Sequence, residues 1–361
     1  MRHIEEIQIL RAFAALAIVI HHGIFECVNV AALAGTSLMP PRILPWPAGV
    51  DLFFVISGFV MVLSSQRLYG KPGAPRVFLW RRIARIVPIY WATTALVLAI
   101  GRLLPGAISG AEPDLAQTLA AFAFVPVPRA DGLTQPVYSL GWTLNYEMFF
   151  YLVFALFLPL ARNRAVAGVT IALGVLTAFG LLAEPANPAL AFWSRPIVLL
   201  FVAGMGIAVM RLEGVALPAW LRLALALLGL AELALDPFGL MRNPLDIEQA
   251  TNVTRVAAWG VPAVLFVAAV ALRRADQPAP ASAAPLWRLL VALGEASYAL
   301  YLLHPFVFRP VREVLMRLNL VSHISPWPYL ALLVIAACGA ALLVHWLAER
   351  RVTAYLQAKF A

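Results

Sequence analysis

A chain of 361 residues that is 62% hydrophobic and only 12% charged, with a mean hydropathy of +0.85, lies far from the roughly 45–50% apolar and 25% charged of soluble domains. That composition excludes a soluble globular protein and requires most of the surface to face lipid or other helices. A net charge of +9 would suit a nucleic-acid binder, but Lys and Arg fall in short segments between apolar runs, so the basicity reads as topogenic and no nucleic-acid partner is expected.

Apolar runs of about 20 residues recur from 7 to 348 without an interrupting polar block. They predict an all-α, polytopic membrane bundle of about ten transmembrane helices in one membrane-embedded domain over 1–361. The N-terminal run, MRHIEEIQILRAFAALAIVIHHG, carries two glutamates and no small-residue cleavage site, and is read as a retained first span. Spans are expected near 7–28, 48–65, 83–104, 138–160, 166–183, 190–210, 216–235, 253–272, 289–308 and 328–348. The stretch 115–128 is too short and too rich in proline to cross, and is read as interfacial or re-entrant. Pro/Ala-rich 275–285 reads as a cytoplasmic linker. Cys27 and Cys338 lie inside apolar runs, in no CxxC or metal-ligand spacing, so neither a disulfide framework nor a metal is indicated.

Arg67, Lys71, Arg76, Arg81 and Arg82 follow the second span, and Arg162, Arg164, Arg211, Arg222, Arg273, Arg274 and Arg288 follow the fourth, sixth and eighth. Glu112, Asp114, Asp131, Glu184, Asp236, Asp246 and Glu248 collect in the alternate connections. Both termini are therefore expected in the cytoplasm. Arg309, Arg312 and Arg317, on the side taken as external, run against this pattern.

A charge at the centre of a span costs on the order of 2.5–3.5 kcal/mol on insertion scales, so each one needs a reason. Eleven positions separate Arg11 from His22, three helical turns that bring both to one face with a rise of roughly 16 Å. Counting from the inner end puts Arg11 roughly 6 Å and His22 roughly 22 Å deep. The same arithmetic places Glu147, His304 and Asp51 on the outer side, and Arg82 and Arg85, one turn apart, on the inner side with Arg11. Arginine forks suit a phosphate-bearing donor, whereas a histidine near carboxylates can take a proton from a hydroxyl. Each residue also has a plainer role open to it. The arginines serve as positive-inside anchors, Asp51 and Glu147 pair with buried arginines, and Ser297, Tyr301 and His304 pack around the kink at Pro305. A secondary transporter or flippase for a lipid-linked sugar would also need buried charges and ten spans, but no matched pair of broken helices stands in the two halves.

Five segments in order, ILRAFAALAIVIHHG (9–23), GVDLFFVISGFVMV (49–62), FLWRRIARIVPIYW (78–91), SLGWTLNYEMFFYLVFAL (139–156) and LGEASYALYLLHPFVF (293–308), resemble the acyltransferase-3 family of membrane O-acyltransferases, particularly its exopolysaccharide-modifying bacterial members. The region from about 160 to 285 matches only as hydrophobic helices. In the family an arginine is followed, after ten intervening residues, by the essential histidine, and this count leads from Arg11 to His22 rather than His21. The RxxR element falls on Arg82 and Arg85, and the tryptophan-to-glutamate element on Trp142 through Glu147. The resemblance implies acyl-CoA, usually acetyl-CoA, as a cytoplasmic co-substrate with no bound cofactor. It also implies transfer to a hydroxyl of an extracytoplasmic or lipid-linked glycan, in a bacterial inner membrane. His22, with Glu147 and then Asp51 as its carboxylate partner, takes the catalytic role. Arg11, Arg82 and Arg85 take the donor, and Trp142, Tyr301 and His304 take the acceptor. Membrane lipid is the expected surrounding, and homo-oligomerisation stays open.

Overall fold

The computed structural model describes residues 5–41, 43–104, 112–129, 132–242, 252–274, 284–320 and 325–359. The acids Asp131, Asp246 and Glu248 and most of the proposed 275–285 linker lie outside them. Each of the ten apolar stretches is helical. In chain order the helices are α1 Glu5–Leu33, α2 Gly49–Ser64, α3 Ala74–Leu103, α4 Leu115–Phe122, α5 Trp142–Phe157, α6 Arg162–Ala183, α7 Pro188–Trp193, α8 Leu199–Leu212, α9 Ala219–Leu235, α10 Val253–Ala271, α11 Pro285–Glu295, α12 Ser297–Arg317, α13 Pro326–Val344 and α14 Arg350–Lys359. The chain is a multi-pass helical membrane protein.

Seven of these, among the described residues, are long and apolar enough to cross a membrane, and α11 with α12 makes an eighth if counted as one bent span. The difference from ten is one of length. With its leading turn α8 runs from Pro196 to Leu212, and α9 has 17 residues, so each reaches about 25 Å, short of the roughly 30 Å of hydrocarbon. The eight-residue α4 starts at a capping box in which Asp114 and Gln117 exchange side-chain and backbone hydrogen bonds. It spans only about 12 Å, in keeping with the interfacial reading of 115–128.

The ninth stretch departs from expectation. It is not one straight span over 289–308 but two helices meeting at 81° around Ala296. Beside the bend, a Cβ at Gly294 would collide with the backbone of Gln8 on α1, so a glycine there lets α11 lie against the start of α1. Trp287 secures the contact by donating its indole N–H to Glu5 at 2.7 Å. His304 is thus seven residues into α12, about 10 Å from the bend, rather than fifteen residues into a continuous span.

Contacts divide the chain into two compact units that interleave in sequence: 1–56 with 207–348, and 57–206 with 349–361. In the first unit α1 packs on α11, α12 and α13 around Ala15, Val19, Ala299, Leu300, Tyr329, Leu333 and Ala337, all buried. The small residues facing α1 let backbones approach closely, which drives helix association where lipid removes the hydrophobic contrast. In the second unit α5 packs on α3 and α6, and α14 returns to α3, where Trp80 donates to the Leu356 carbonyl at 3.0 Å.

The first unit also buries an ion pair. Arg255 reaches Asp51 through Nε at 3.2 Å and Nη2 at 2.8 Å, with the two side chains 1% and 0% exposed. Its guanidinium lies 4.8 Å from the ring centroid of Trp259, which belongs to a π-helical turn at Val256–Gly260. Arg255→Leu strands the Asp51 carboxylate and should cost about 3–5 kcal/mol. Replacing both partners by leucine should recover most of that loss, as read by thermal unfolding of the purified protein in detergent. A double variant no more stable than the single one would show that the pair is not what Asp51 is there for.

Candidate active site

In the first unit, polar side chains on α1 meet partners on α12 at three levels. Near the start of both helices Arg11 donates to Gln8 Oε1 and to Ser297 Oγ, each at 2.9 Å. Three turns along α1, His22 Nδ1 lies 3.1 Å from His304 Nε2, with the ring centroids 5.0 Å apart. One further turn along, Glu26 accepts from Arg312 Nη1 at 3.0 Å. Residues 11, 22 and 26 recur at intervals of eleven and four, the helical spacings that keep one face. On α12, Ser297 and His304 are two turns apart and Arg312 follows two turns later. Arg312 was anomalous as a topogenic charge because it is an ion-pair partner, part-buried against Glu26.

The two adjacent histidines separate cleanly. His21 is buried and packs edge-on against Phe25 at 4.8 Å, whereas His22 meets His304. His304 is fully buried. Each imidazole of the pair also faces a carbonyl four residues back: His22 Nδ1 lies 3.0 Å from the Ile18 oxygen and His304 Nδ1 3.1 Å from the Leu300 oxygen. Tyr301, buried on the same helix, places its ring 6.4 Å from Phe53. Asp51, the second choice of carboxylate for His22, has Arg255 as its partner instead. The alternative reading from sequence, a carboxylate held by a buried arginine, describes its position.

The second unit holds the remaining candidates. Glu147 on α5 accepts from Ser57 Oγ at 3.1 Å and from the Tyr151 hydroxyl one turn along the same helix. Arg82 on α3 sits with its guanidinium 5.6 Å from the Phe78 ring centroid and 5.8 Å from that of Tyr151, and donates to Ser64 Oγ at 2.8 Å. Depth counting had sorted Arg82 to the inner side and Glu147 to the outer. Tyr151 joins them, because its ring flanks the guanidinium while its hydroxyl reaches the carboxylate. Arg85 lies one turn further along α3 and is half-buried. Trp142 opens α5, edge-on to Tyr146 at 6.0 Å.

Sequence reasoning missed Tyr151, Ser57 and Ser64 in these networks. The spacing of Tyr151 from Glu147, one helical turn, was a usable signal, while the two serines carried none in an apolar run. No group of three or more His, Cys, Asp or Glu among the described residues is arranged to hold a metal ion.

The profile described as an acyltransferase domain matches residues 4–346. Among similar proteins, the exopolysaccharide production protein ExoZ of Rhizobium meliloti (strain 1021) is 37% identical over 284 residues, covering 76% of this chain and 80% of its own length. The acyltransferase MdmB of Streptomyces mycarofaciens is 30% identical over 340 residues, covering 83% of this chain and 78% of its own. No solved structure is a significant match. With the profile covering nearly the whole helical chain, and with relatives aligned over most of their own length, the protein belongs to the acyltransferase-3 family of membrane acyltransferases.

Proposed function

We propose that the protein transfers an acetyl group from cytoplasmic acetyl-CoA to a hydroxyl of an exopolysaccharide or its lipid-linked precursor, with His22 as the general base. The observation that carries this reading is the polar face of α1, where Arg11 and His22 lie three turns apart and each has a fixed partner on α12. The name of the Rhizobium relative connects that protein with exopolysaccharide production, which favours a glycan over other acceptors.

In this mechanism the acceptor oxygen attacks the thioester carbonyl while an imidazole nitrogen of His22 takes its proton. The tetrahedral intermediate collapses with cleavage of the carbon–sulfur bond. The imidazolium returns the proton to the leaving thiolate, giving the ester and free CoA. Arg11 and Arg85 are assigned to the donor's phosphates, for which a guanidinium fork is the fitting group. Arg82, flanked by two aromatic rings, serves the same end while holding Tyr151 and Glu147 in place.

His22→Ala should lower acyl transfer by about 10²–10⁴-fold and leave acetyl-CoA binding intact, whereas His21→Ala should retain substantial activity. The assay follows radiolabelled acetyl-CoA into the glycan fraction of membranes from the producing strain, together with release of free CoA. Near-parental turnover by a properly inserted His22→Ala protein would exclude the base assignment. Arg85→Ala should weaken acetyl-CoA binding more than acceptor use, with Arg85→Lys only a partial rescue because an ammonium lacks the bidentate fork. Equal losses for both substrates would point to anchoring.

The orientation has its own test. Single cysteines at positions 71 and 163, in a background lacking Cys27 and Cys338, should react with an impermeant thiol reagent only after the inner face is opened. A cysteine at 112 should react in intact cells. The reverse pattern would put the arginines on the side away from the donor.

A further inference from the structure

His22 has an imidazole, that of His304, within hydrogen-bond distance in the first unit, and the carbonyl contacts of the two rings bear on which nitrogens carry the protons between them. With both rings neutral, each carries one N–H and one lone pair. His304 Nδ1 faces the Leu300 oxygen at 3.1 Å and His22 Nδ1 faces the Ile18 oxygen at 3.0 Å. A lone pair on either Nδ1 would point at a carbonyl lone pair, so both Nδ1 atoms carry hydrogen. His304 Nε2 is then an acceptor, and the group 3.1 Å away is His22 Nδ1–H, which it shares with the Ile18 carbonyl. The reverse pairing, with His304 Nε2 donating, leaves both carbonyls facing lone pairs. It follows that the basic nitrogen of His22 is Nε2.

We propose that His304 is a positioning residue for the reaction: its Nε2 accepts the Nδ1–H of His22, fixing the tautomer and ring orientation that present His22 Nε2 as the base. The inference rests on the reading of His22 as general base. When Nε2 takes the proton of the acceptor hydroxyl, the Nδ1–H becomes a stronger donor and its bond to His304 tightens, spreading the developing charge over two rings. The role matches that of the buried aspartate of a hydrolase triad, which holds its histidine in one tautomer, but a neutral acceptor performs it. Placement within the membrane favours that choice, because an imidazole partner avoids burying a carboxylate whose charge would itself need compensation. The position of His304 is secured from below. It is fully buried on α12, and its Nδ1 is tied back to its own helix immediately before Pro305.

The test exploits which atom each substitute offers. The side-chain oxygen of glutamine falls near the place of Nε2, whereas that of asparagine falls near Nδ1. With full-length protein in membranes of the producing strain, radiolabelled acetyl-CoA as donor and the native glycan fraction as acceptor, H304L and H304N should lower kcat about 10- to 100-fold, as loss of a group that orients a metal-bound histidine does. H304Q should recover several-fold over H304N, and KM for acetyl-CoA should stay near the parental value in all three. In parallel, nitrogen NMR of protein labelled at histidine should show His22 as the Nδ1–H tautomer in the parent and in H304Q, with the Nε2–H form gaining population in H304L. Equal rates for H304Q and H304N, or a parental His22 with hydrogen on Nε2, would overturn the inference even if H304L fails to insert. A dead His22→Ala beside a fully active H304L would sink only the positioning role, whereas an active His22→Ala would remove the base on which it rests.

Discussion

Inside the hydrocarbon there is no water to hydrate a charge or to complete a hydrogen bond, so a polar or charged side chain of a span is costly unless another polar group meets it. In the first unit that constraint is discharged largely by one pair of helices. Arg11, His22 and Glu26 on α1 meet Ser297, His304 and Arg312 on α12, and the alanines and leucines between these levels close the contact. Packing and polarity therefore specify the same register. A slip of one residue between α1 and α12 would break the polar contacts at every level and leave charges facing lipid. The histidine pair inherits its geometry from this agreement, with an arginine contact on one side of it and an ion pair on the other.

The second unit meets the same constraint by a different route. Arg82 is flanked by the faces of Phe78 and Tyr151 and reaches a serine hydroxyl, while the phenol of Tyr151 turns to Glu147. Aromatic rings are suited to this because they present apolar edges to neighbouring helices and an electron-rich face to a cation. One tyrosine thus serves a cation and an anion at once. The Asp51–Arg255 pair, stacked on Trp259, repeats the device in the first unit.

Much of this architecture was legible in the sequence. The helical stretches follow from apolar length, and the shared face of Arg11 and His22 from counting along α1. What sequence could not supply was distance across helices. Depth ranked Glu147 first and Asp51 second as partners for His22, yet depth says nothing of azimuth, and Asp51 faces Arg255 two hundred and four positions away. The break at Ala296 was hidden for a related reason. The run from 289 to 308 is apolar enough to read as one span despite Glu295 and His304, and the close approach of Gln8 to Gly294 beside the 81° bend is a contact with a distant part of the chain. Arg312 stood as an exception in the charge count, because a topogenic rule weighs residues by position and has no knowledge of its ion pair with Glu26.

The separation along the chain of the two partners of the first unit bears on how the protein is made. The contact of Arg11 with Ser297, and that of Glu26 with Arg312, each join residues 286 positions apart. At about 5–20 residues per second of synthesis, α1 waits on the order of 15–60 s after it leaves the ribosome before α12 exists. Throughout that interval Arg11, His22 and Glu26 of the first helix have yet to meet Ser297, His304 and Arg312, while the second unit up to Gly206 is being laid down. The newborn helix must be kept at the water-facing edge of the insertion machinery, or held by a chaperone that lends it polar contacts, until its mate arrives. Biogenesis of this enzyme is in that sense a long-delayed docking reaction, and the charged face of its first helix is as much a demand on the cell's insertion apparatus as it is a feature of the finished protein.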